Sequence, residues 1–129
     1  MPMNWPTDSF LKLILLFKKM NISFEDPFYI FIKYENIKTI EIYNQFLNWI
    51  KGEFDLYQME ELDGLKVYYL NGWFSITVLS ERELDLNIVI KIKSKTLNGG
   101  MEIAAQIKTI YVHLNQVLEN TSKSRDYLS

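Results

Sequence analysis

The chain has 129 residues, of which 48% are hydrophobic and 15% aromatic, and its formal net charge at pH 7 is −2. This size and composition predict one compact domain and argue against a multidomain enzyme with separate nucleotide and substrate modules. Because the chain contains no cysteine, disulfide scaffolds and thiolate metal sites are excluded. It has one histidine, His113, so a Ser-His-Asp catalytic centre would have to depend on that single residue.

A helix is predicted from Phe10 to Met20, after the N-cap candidates Thr7, Asp8 and Ser9. Its apolar side chains point in nearly every direction around the axis, so one packing face cannot bury them all. We therefore predict that this helix mediates association with a second copy or another protein. The alternative is that it lies in a groove of its own domain. The apolar set is Phe10, Leu11, Leu13, Ile14, Leu15, Leu16 and Phe17.

A turn-rich link from Asn21 to Pro27 leads to a predicted strand from Phe28 to Tyr34. The strand places Phe28, Ile30, Ile32 and Tyr34 on one side. Apolar residues at three-and-four spacing predict a helix over 39–51, closed by Gly52. A short strand is expected over 54–59.

Two β-rich runs within 65–79 flank Asn71 and Gly72, which predicts a hairpin with a type I′ turn. The register would set Tyr69 opposite Phe74 and Leu65 opposite Val78. The predicted core face of the hairpin comprises Leu65, Val67, Tyr69, Phe74, Ile76 and Val78. The opposite, mixed face comprises Lys66, Tyr68, Trp73, Ser75 and Thr77.

A charged loop over 80–85 is expected to precede a strand that starts at Leu86 and carries Lys91 and Lys93 on its polar side. An apolar stripe over 103–118 predicts a long helix that covers the sheet. The domain would then span 1–119, followed by a polar, disordered tail over 120–129. The fold class is α+β, a mostly antiparallel sheet of four to five strands with helices packed on one face.

The hairpin carries a family resemblance. The run Glu61-Leu62-Asp63-Gly64-Leu65-Lys66-Val67-Tyr68-Tyr69, followed by Gly72-Trp73-Phe74-Ser75-Ile76, resembles the C-terminal (fourth) domain of the α-D-phosphohexomutases, which include phosphomannomutases and phosphoglucosamine mutases. The resemblance implies a TBP-like fold and covers roughly positions 7–119, with little identity outside 63–76. It also implies a phosphate-binding loop near Arg-Pro-Ser-Gly-Thr-Glu-Pro after the hairpin.

At the position of that loop the chain reads Thr77-Val78-Leu79-Ser80-Glu81-Arg82-Glu83-Leu84-Asp85, without the leading arginine, the proline or the glycine. Carboxylates surround Arg82 and would repel a dianionic sugar phosphate. The family's phosphoserine, metal and sugar motifs belong to domains for which this chain has no residues. The resemblance therefore points to a stand-alone, degenerate domain, in which Ser80 and Arg82 are the residual candidates for phosphate binding.

The other candidate residues are interpreted as having ordinary structural roles. Glu60, Glu61 and Asp63 precede Gly64 at a turn and are interpreted as solvated acidic residues. His113 is interpreted as an exposed helix residue. Aromatic and basic side chains on the open face of the sheet could stack bases or form an interface, and we favour the interface. That face comprises Lys66, Tyr68, Trp73, Lys91 and Lys93.

These observations predict a cytoplasmic, non-enzymatic module without cofactor or metal, which binds a protein or forms a homodimer. The alternative is a module that binds a phosphorylated sugar or single-stranded nucleic acid through the open sheet face. With a pI near 5.4, binding to nucleic acid is the less favoured of these, and no membrane association is expected.

Overall fold

A computed structural model describes residues 20–81 and 85–128. The predicted helix with Phe10, Leu11, Leu13, Ile14, Leu15 and Phe17 lies outside the described residues, as does Arg82. The strands are β1 (Asn21–Glu25), β2 (Phe28–Ile37), β3 (Gln58–Glu60), β4 (Leu65–Tyr69), β5 (Gly72–Glu81) and β6 (Leu86–Ser94). The helices are α1 (Ile40–Glu53) and α2 (Leu97–Leu128).

The six strands form one sheet in the order β1-β2-β6-β5-β4-β3, and every neighbouring pair is antiparallel. The α+β class is thus confirmed, whereas the predicted number of four to five strands is too low. The additional strand is β1, which occupies most of the predicted link. Its sequence alternates polar and apolar residues around Ile22 and Phe24, a strand pattern, and the turn is confined to Asp26 and Pro27.

Helix α1 begins one residue after its predicted start, with Thr39 as the N-cap, whose hydroxyl accepts a hydrogen bond of 3.1 Å from the amide of Ile42. It continues through Gly52 and ends when Phe54 donates its N–H to Ile50. The ring of Phe54 then packs against Phe74 with centroids 5.0 Å apart. The first half of the predicted strand over 54–59 is therefore wrong, because Phe54 is the C-cap of α1 and the strand begins at Gln58.

The β4–β5 hairpin forms, but its predicted register is wrong by two residues. Tyr69 pairs with Gly72, and Tyr68 with Trp73, so the two loop residues are Leu70 and Asn71. Gly72 is the first residue of β5, where a Cβ would meet the carbonyl oxygen of Lys93 at 1.8 Å. The glycine is thus required by the close approach of β6 rather than by a type I′ turn.

A shift of two residues preserves the two faces of the hairpin, because side chains alternate with a period of two. Leu65, Val67, Phe74 and Ile76 are all buried in the core as predicted. Tyr69 is half-buried against the core, and Val78 is the exception at 37% exposure. It lies beside the irregularity at which the β5–β6 register shifts.

One apolar cluster joins the helices to one face of the sheet. Its fully buried members include Phe31, Phe46, Ile50, Leu65, Val67, Phe74, Ile76, Ile88, Ile92 and Ile107. Since α1 and α2 contribute to the same cluster, the opposite face of the sheet is the one that these helices leave open.

Helix α2 starts six residues before Ile103 and includes Gly99 and Gly100. Gly100 packs on Phe31, whose ring atom would lie 2.1 Å from a Cβ at this position. The helix also continues beyond Glu119 to Leu128, where the sequence predicts a frayed tail. No proline or glycine occurs over 120–128 to end it. Within the described residues, no helix is both long and apolar enough to span a membrane.

Candidate binding face of the sheet

The open face carries the aromatic and basic residues that the sequence singled out. In register, Lys93 of β6 lies beside Trp73 of β5, which lies beside Tyr68 of β4. In the adjacent row Lys91 and Lys66 flank Ser75. Directly opposed residues of an antiparallel pair point to the same side of the sheet. The structure therefore brings all five candidate residues together: Lys66, Tyr68, Trp73, Lys91 and Lys93. We call this set the lysine–aromatic cluster.

Trp73 is the centre of the cluster. The Nζ of Lys66 lies 4.3 Å from the centroid of its ring, and the Nζ of Lys93 lies 5.8 Å from it. Lys66 is also 5.0 Å from the ring of Tyr68, and Lys93 is 5.1 Å from that of Phe28. Ammonium groups at these distances are attracted by the ring quadrupole. The aromatic rings therefore hold the lysine heads against the sheet.

Strand β2 extends this surface with apolar side chains. Phe28, Ile30, Ile32 and Tyr34 lie on one side of the strand, as predicted, and register places that side on the open face beside Lys91 and Lys93. Ile30 is 5% exposed although it is no member of the core cluster, whereas Tyr34 is 61% exposed. The face thus combines an apolar strip with a basic centre.

Acidic residues on this face lie at its margins. Glu25 is on the edge strand β1, opposite Phe28, and Glu60 is on the other edge strand β3, opposite Lys66. The three lysines of the cluster lie between these edges on β4 and β6. The local potential at the centre of the face is therefore positive, although the whole chain is slightly acidic.

The backbone beneath the cluster is fixed from the core side. The hydroxyl of Tyr69 donates a hydrogen bond of 3.0 Å to the carbonyl of Lys93. Burial raises the pKa of Tyr69, which keeps the hydroxyl a donor. Together with the close approach of Gly72, this contact sets the position of Lys93 relative to Trp73.

The predicted phosphate site shows a different environment. The hydroxyl of Ser80 accepts a hydrogen bond of 3.1 Å from Asn87. The Asn87 side chain in turn accepts one of 3.1 Å from Asn36, which also donates to Asp85 at 2.9 Å. Ser80 is therefore part of a polar chain that ends on a carboxylate, an unfavourable neighbour for an anion. Its partner in the prediction, Arg82, lies outside the described residues.

The remaining sequence candidates are distributed over the surface. Glu61 forms an ion pair of 2.8 Å with Lys51, and Asp63 occupies a turn with φ of 55°. His113 is exposed and packs edge-on against Trp49 at 5.6 Å, beside a shallow groove of about 450 Å³ between the helices. Among residues 20–81 and 85–128, no group of three or more His, Cys, Asp or Glu side chains is placed to hold a metal ion.

Sequence reasoning missed a buried group of charges beneath α2. Lys33 and Glu35 point from β2 toward the core and form an ion pair of 2.8 Å, and Lys108 approaches Glu35 at 3.2 Å. Burial lowers the pKa of Lys33, and Glu35 opposes this shift. The cavity beside the group holds only about 10 Å³, which leaves no room for a substrate. We interpret the group as structural. The sequence signal for it was the alternation of side chains along β2, which places Lys33 and Glu35 on the same side as the core residues Phe31 and Ile37.

Comparison with known proteins gives the fold and nothing further. No protein-family model matches the chain, and no curated protein is significantly similar to it. One solved structure, of a conserved protein of unknown function from Enterococcus faecalis, is 14% identical and superposes with a TM-score of 0.58 over 85% of this chain and 82% of that chain. At this identity the similarity concerns the fold alone.

Proposed function

We propose that the chain is a non-catalytic binding module that holds a protein partner against the open face of its sheet. The observation that carries the proposal is the lysine–aromatic cluster, in which Trp73 lies between the ammonium groups of Lys66 and Lys93. Trp and Tyr are enriched among the residues that dominate protein interfaces, and a flat apolar strip with a charged centre is suited to complementary packing.

The chemistry of the face defines the partner. Lysine heads at the centre would pair with carboxylates, while Ile32 and Tyr34 offer apolar and aromatic contact area beside them. A partner segment that alternates acidic and apolar residues satisfies both requirements. Such charge pairs steer association and fix the orientation of the partner more than they add affinity.

The second candidate ligand is single-stranded nucleic acid or a phosphorylated sugar on the same face. Lysines interleaved with aromatic residues on an open sheet favour it, because bases stack on rings and ammonium groups neutralise phosphates. Two observations weigh against it. The rings of Trp73 and Tyr68 are already covered by Lys66, and the chain has a net charge of −2.

The descent of the module from a phosphohexomutase C-terminal domain remains part of the proposal. Its support is confined to the hairpin motif. Gly64 has φ of 128°, and a Cβ there would meet the carbonyl oxygen of Ile76 at 2.2 Å, so this glycine of the motif is required by the fold. The proposal predicts no turnover of glucose-1-phosphate or mannose-1-phosphate by the pure protein.

The function is tested by titrating the labelled protein with three probes and following its backbone amide resonances by NMR. The probes are a short peptide alternating glutamate and leucine, an oligothymidylate and glucose-1-phosphate. We expect the peptide to shift resonances of β4, β5 and β6 on the open face, and Trp73→Ala to weaken its binding at least about tenfold. Trp49→Phe, on the helix side, is the matched control and should bind like the parent.

Each alternative outcome is informative. Strong, salt-dependent shifts with oligothymidylate, and none with the peptide, would replace the protein partner by nucleic acid. Shifts with glucose-1-phosphate around Ser80 would restore the phosphate site. If none of the probes moves a resonance on the open face, the assignment of this face as the binding surface is wrong.

A further inference from the structure

The outer edge of β1 has no neighbouring strand among the described residues. Within residues 20–81 and 85–128, β1 pairs only with β2, and all five of its residues are exposed. It has no lysine, no proline and no irregularity in its pairing, and its one charged residue, Glu25, stands at the end of the strand, so most of the features by which edge strands avoid further pairing are missing. The opposite edge, β3, has only three residues, of which Glu60 is charged. The two edges of the sheet are therefore unequal, and β1 is the one suited to accept another strand.

Apolar side chains accompany this edge. Ile22 and Phe24 lie on the helix side of the sheet and are 40% and 57% exposed. The ring of Phe24 contacts that of Tyr29 on β2 at 4.8 Å. An additional strand beside β1 would cover these side chains as well as satisfying the free backbone groups.

The sequence of β1 is complementary to itself. In an antiparallel pair centred on Ser23, Asn21 of one copy opposes Glu25 of the other, Ile22 opposes Phe24, and Ser23 opposes Ser23. Apolar residues then meet apolar residues on one side, polar residues meet on the other, and neither Glu25 opposes a like charge. A two-fold axis through Ser23 produces this arrangement without any other adjustment, and two-fold dimers are the commonest closed assemblies.

We propose that β1 pairs antiparallel with β1 of a second copy about a two-fold axis at Ser23, so that the two sheets join edge to edge. This inference goes beyond the proposed function and uses a different surface from the lysine–aromatic cluster. A pair of five-residue strands buries less than the roughly 1,200–2,000 Å² of a stable complex. The dimer is therefore weak, with a dissociation constant in the micromolar range or above.

Cysteine cross-linking tests the register, because the chain has no cysteine of its own. Opposed residues of an antiparallel pair have Cα atoms about 4.5–5.5 Å apart, within the range of about 4.4–6.8 Å of a disulfide. Ser23→Cys should therefore form a covalent dimer under mild oxidation. In Glu25→Cys the two sulfurs lie four positions apart, about 13 Å along the strands, and should not cross-link.

A mixture of two single variants gives an independent check. Asn21→Cys and Glu25→Cys should each stay monomeric on oxidation, but mixed together they should form a heterodimer through the Asn21–Glu25 pair. Equal cross-linking of Ser23→Cys and Glu25→Cys would indicate random collision and would overturn the proposal. A parent mass that stays monomeric across concentration, together with no cross-linking of Ser23→Cys, would overturn it as well.

A disruptive variant separates this surface from the open face. Ile22→Lys with Phe24→Lys sets lysine against lysine across the axis and should weaken dimerisation at least about tenfold. Both positions are exposed in the monomer, and an unchanged circular dichroism spectrum confirms folding. Tyr34→Lys on the open face is the control and should dimerise like the parent. If the double lysine variant loses dimerisation but still binds the peptide, the two surfaces act separately. Trp73→Ala should weaken peptide binding and leave dimerisation unchanged.

Discussion

Lys66 and Trp73 are diagonal neighbours across the β4–β5 pair, with the ammonium nitrogen 4.3 Å from the centroid of the ring. Lys66 is opposed by Ser75, two residues along β5 from Trp73. A hairpin with loop residues Asn71 and Gly72 would instead oppose Lys66 to Thr77, about 13 Å from Trp73 along the strand. The register of the hairpin therefore creates the contact at the centre of the candidate binding face.

The alternation of the hairpin predicts opposite outcomes at adjacent positions. Ile76→Asp buries a carboxylate among core side chains, since Ile76 is fully buried, and should cost more than about 4 kcal/mol. Ser75→Asp adds its carboxylate between Lys66 and Lys91 on the open face and should leave the stability nearly unchanged. Urea denaturation of both variants measures the two values, and equal losses would contradict the assignment of faces.

Two glycines should respond oppositely to alanine. Gly72→Ala places a Cβ 1.8 Å from the carbonyl oxygen of Lys93, and should cost roughly 2 kcal/mol or more because the strands must separate. Gly52→Ala meets no atom within 4 Å near the end of α1, and should stabilise by about 0.5–1 kcal/mol through helix propensity. Thermal unfolding of both variants tests the pair; a stabilised Gly72→Ala would show that β5 and β6 are farther apart.

Tyr43, which is buried, and Tyr69, which is half-buried, differ in the hydrogen bonding of their hydroxyl groups. The hydroxyl of Tyr43 is buried and has no hydrogen-bond partner among the described residues, so Tyr43→Phe should be neutral or stabilising by up to about 1 kcal/mol. The hydroxyl of Tyr69 donates to the carbonyl of Lys93, so Tyr69→Phe should destabilise by about 1 kcal/mol. Chemical denaturation of the two variants under the same conditions gives the comparison. A clear loss for Tyr43→Phe would reveal a partner for that hydroxyl.

The buried lysine predicts a pH dependence. Burial lowers the pKa of Lys33 in the folded chain below its unfolded value of about 10.4. Between the two values the unfolded chain binds more protons, so the free energy of unfolding contributed by this group rises with pH. Below the folded pKa the unfavourable contribution is constant.

Lys33→Met removes that contribution while leaving Glu35 paired with Lys108. The difference in stability between this variant and the parent should therefore shift in favour of the parent as the pH rises toward about 10.4. Denaturation curves of both proteins over this pH range provide the measurement, and ionisation of tyrosines cancels in the difference. A difference independent of pH would mean that Lys33 keeps its ordinary pKa.

The elements recovered from the sequence are those in which one periodicity dominates. The alternation of β6 predicted both its core side and its lysine side, and the three-and-four spacing of apolar residues predicted α1. The strand β1 was missed because its alternation rests on only two apolar residues, Ile22 and Phe24, and is followed at once by the turn signal Asp26-Pro27. The hairpin register was missed because Asn71-Gly72 is a strong turn signal, whereas the contact that fixes Gly72 comes from Lys93, distant in sequence. Local patterns do not contain such contacts.

Strand β2 has apolar residues on both sides, so hydrophobicity alone does not decide which side faces the helices. Turning it over would expose Lys33 and Glu35, but it would also remove Phe31 and Ile37 from the core. The contact of the Phe31 ring with Gly100 opposes this exchange, because the glycine leaves a recess that an aromatic ring fills. The fit of the Phe31 ring against the start of α2 therefore adds shape complementarity to the burial that fixes the orientation of β2, and a larger residue at position 100 would disturb this packing.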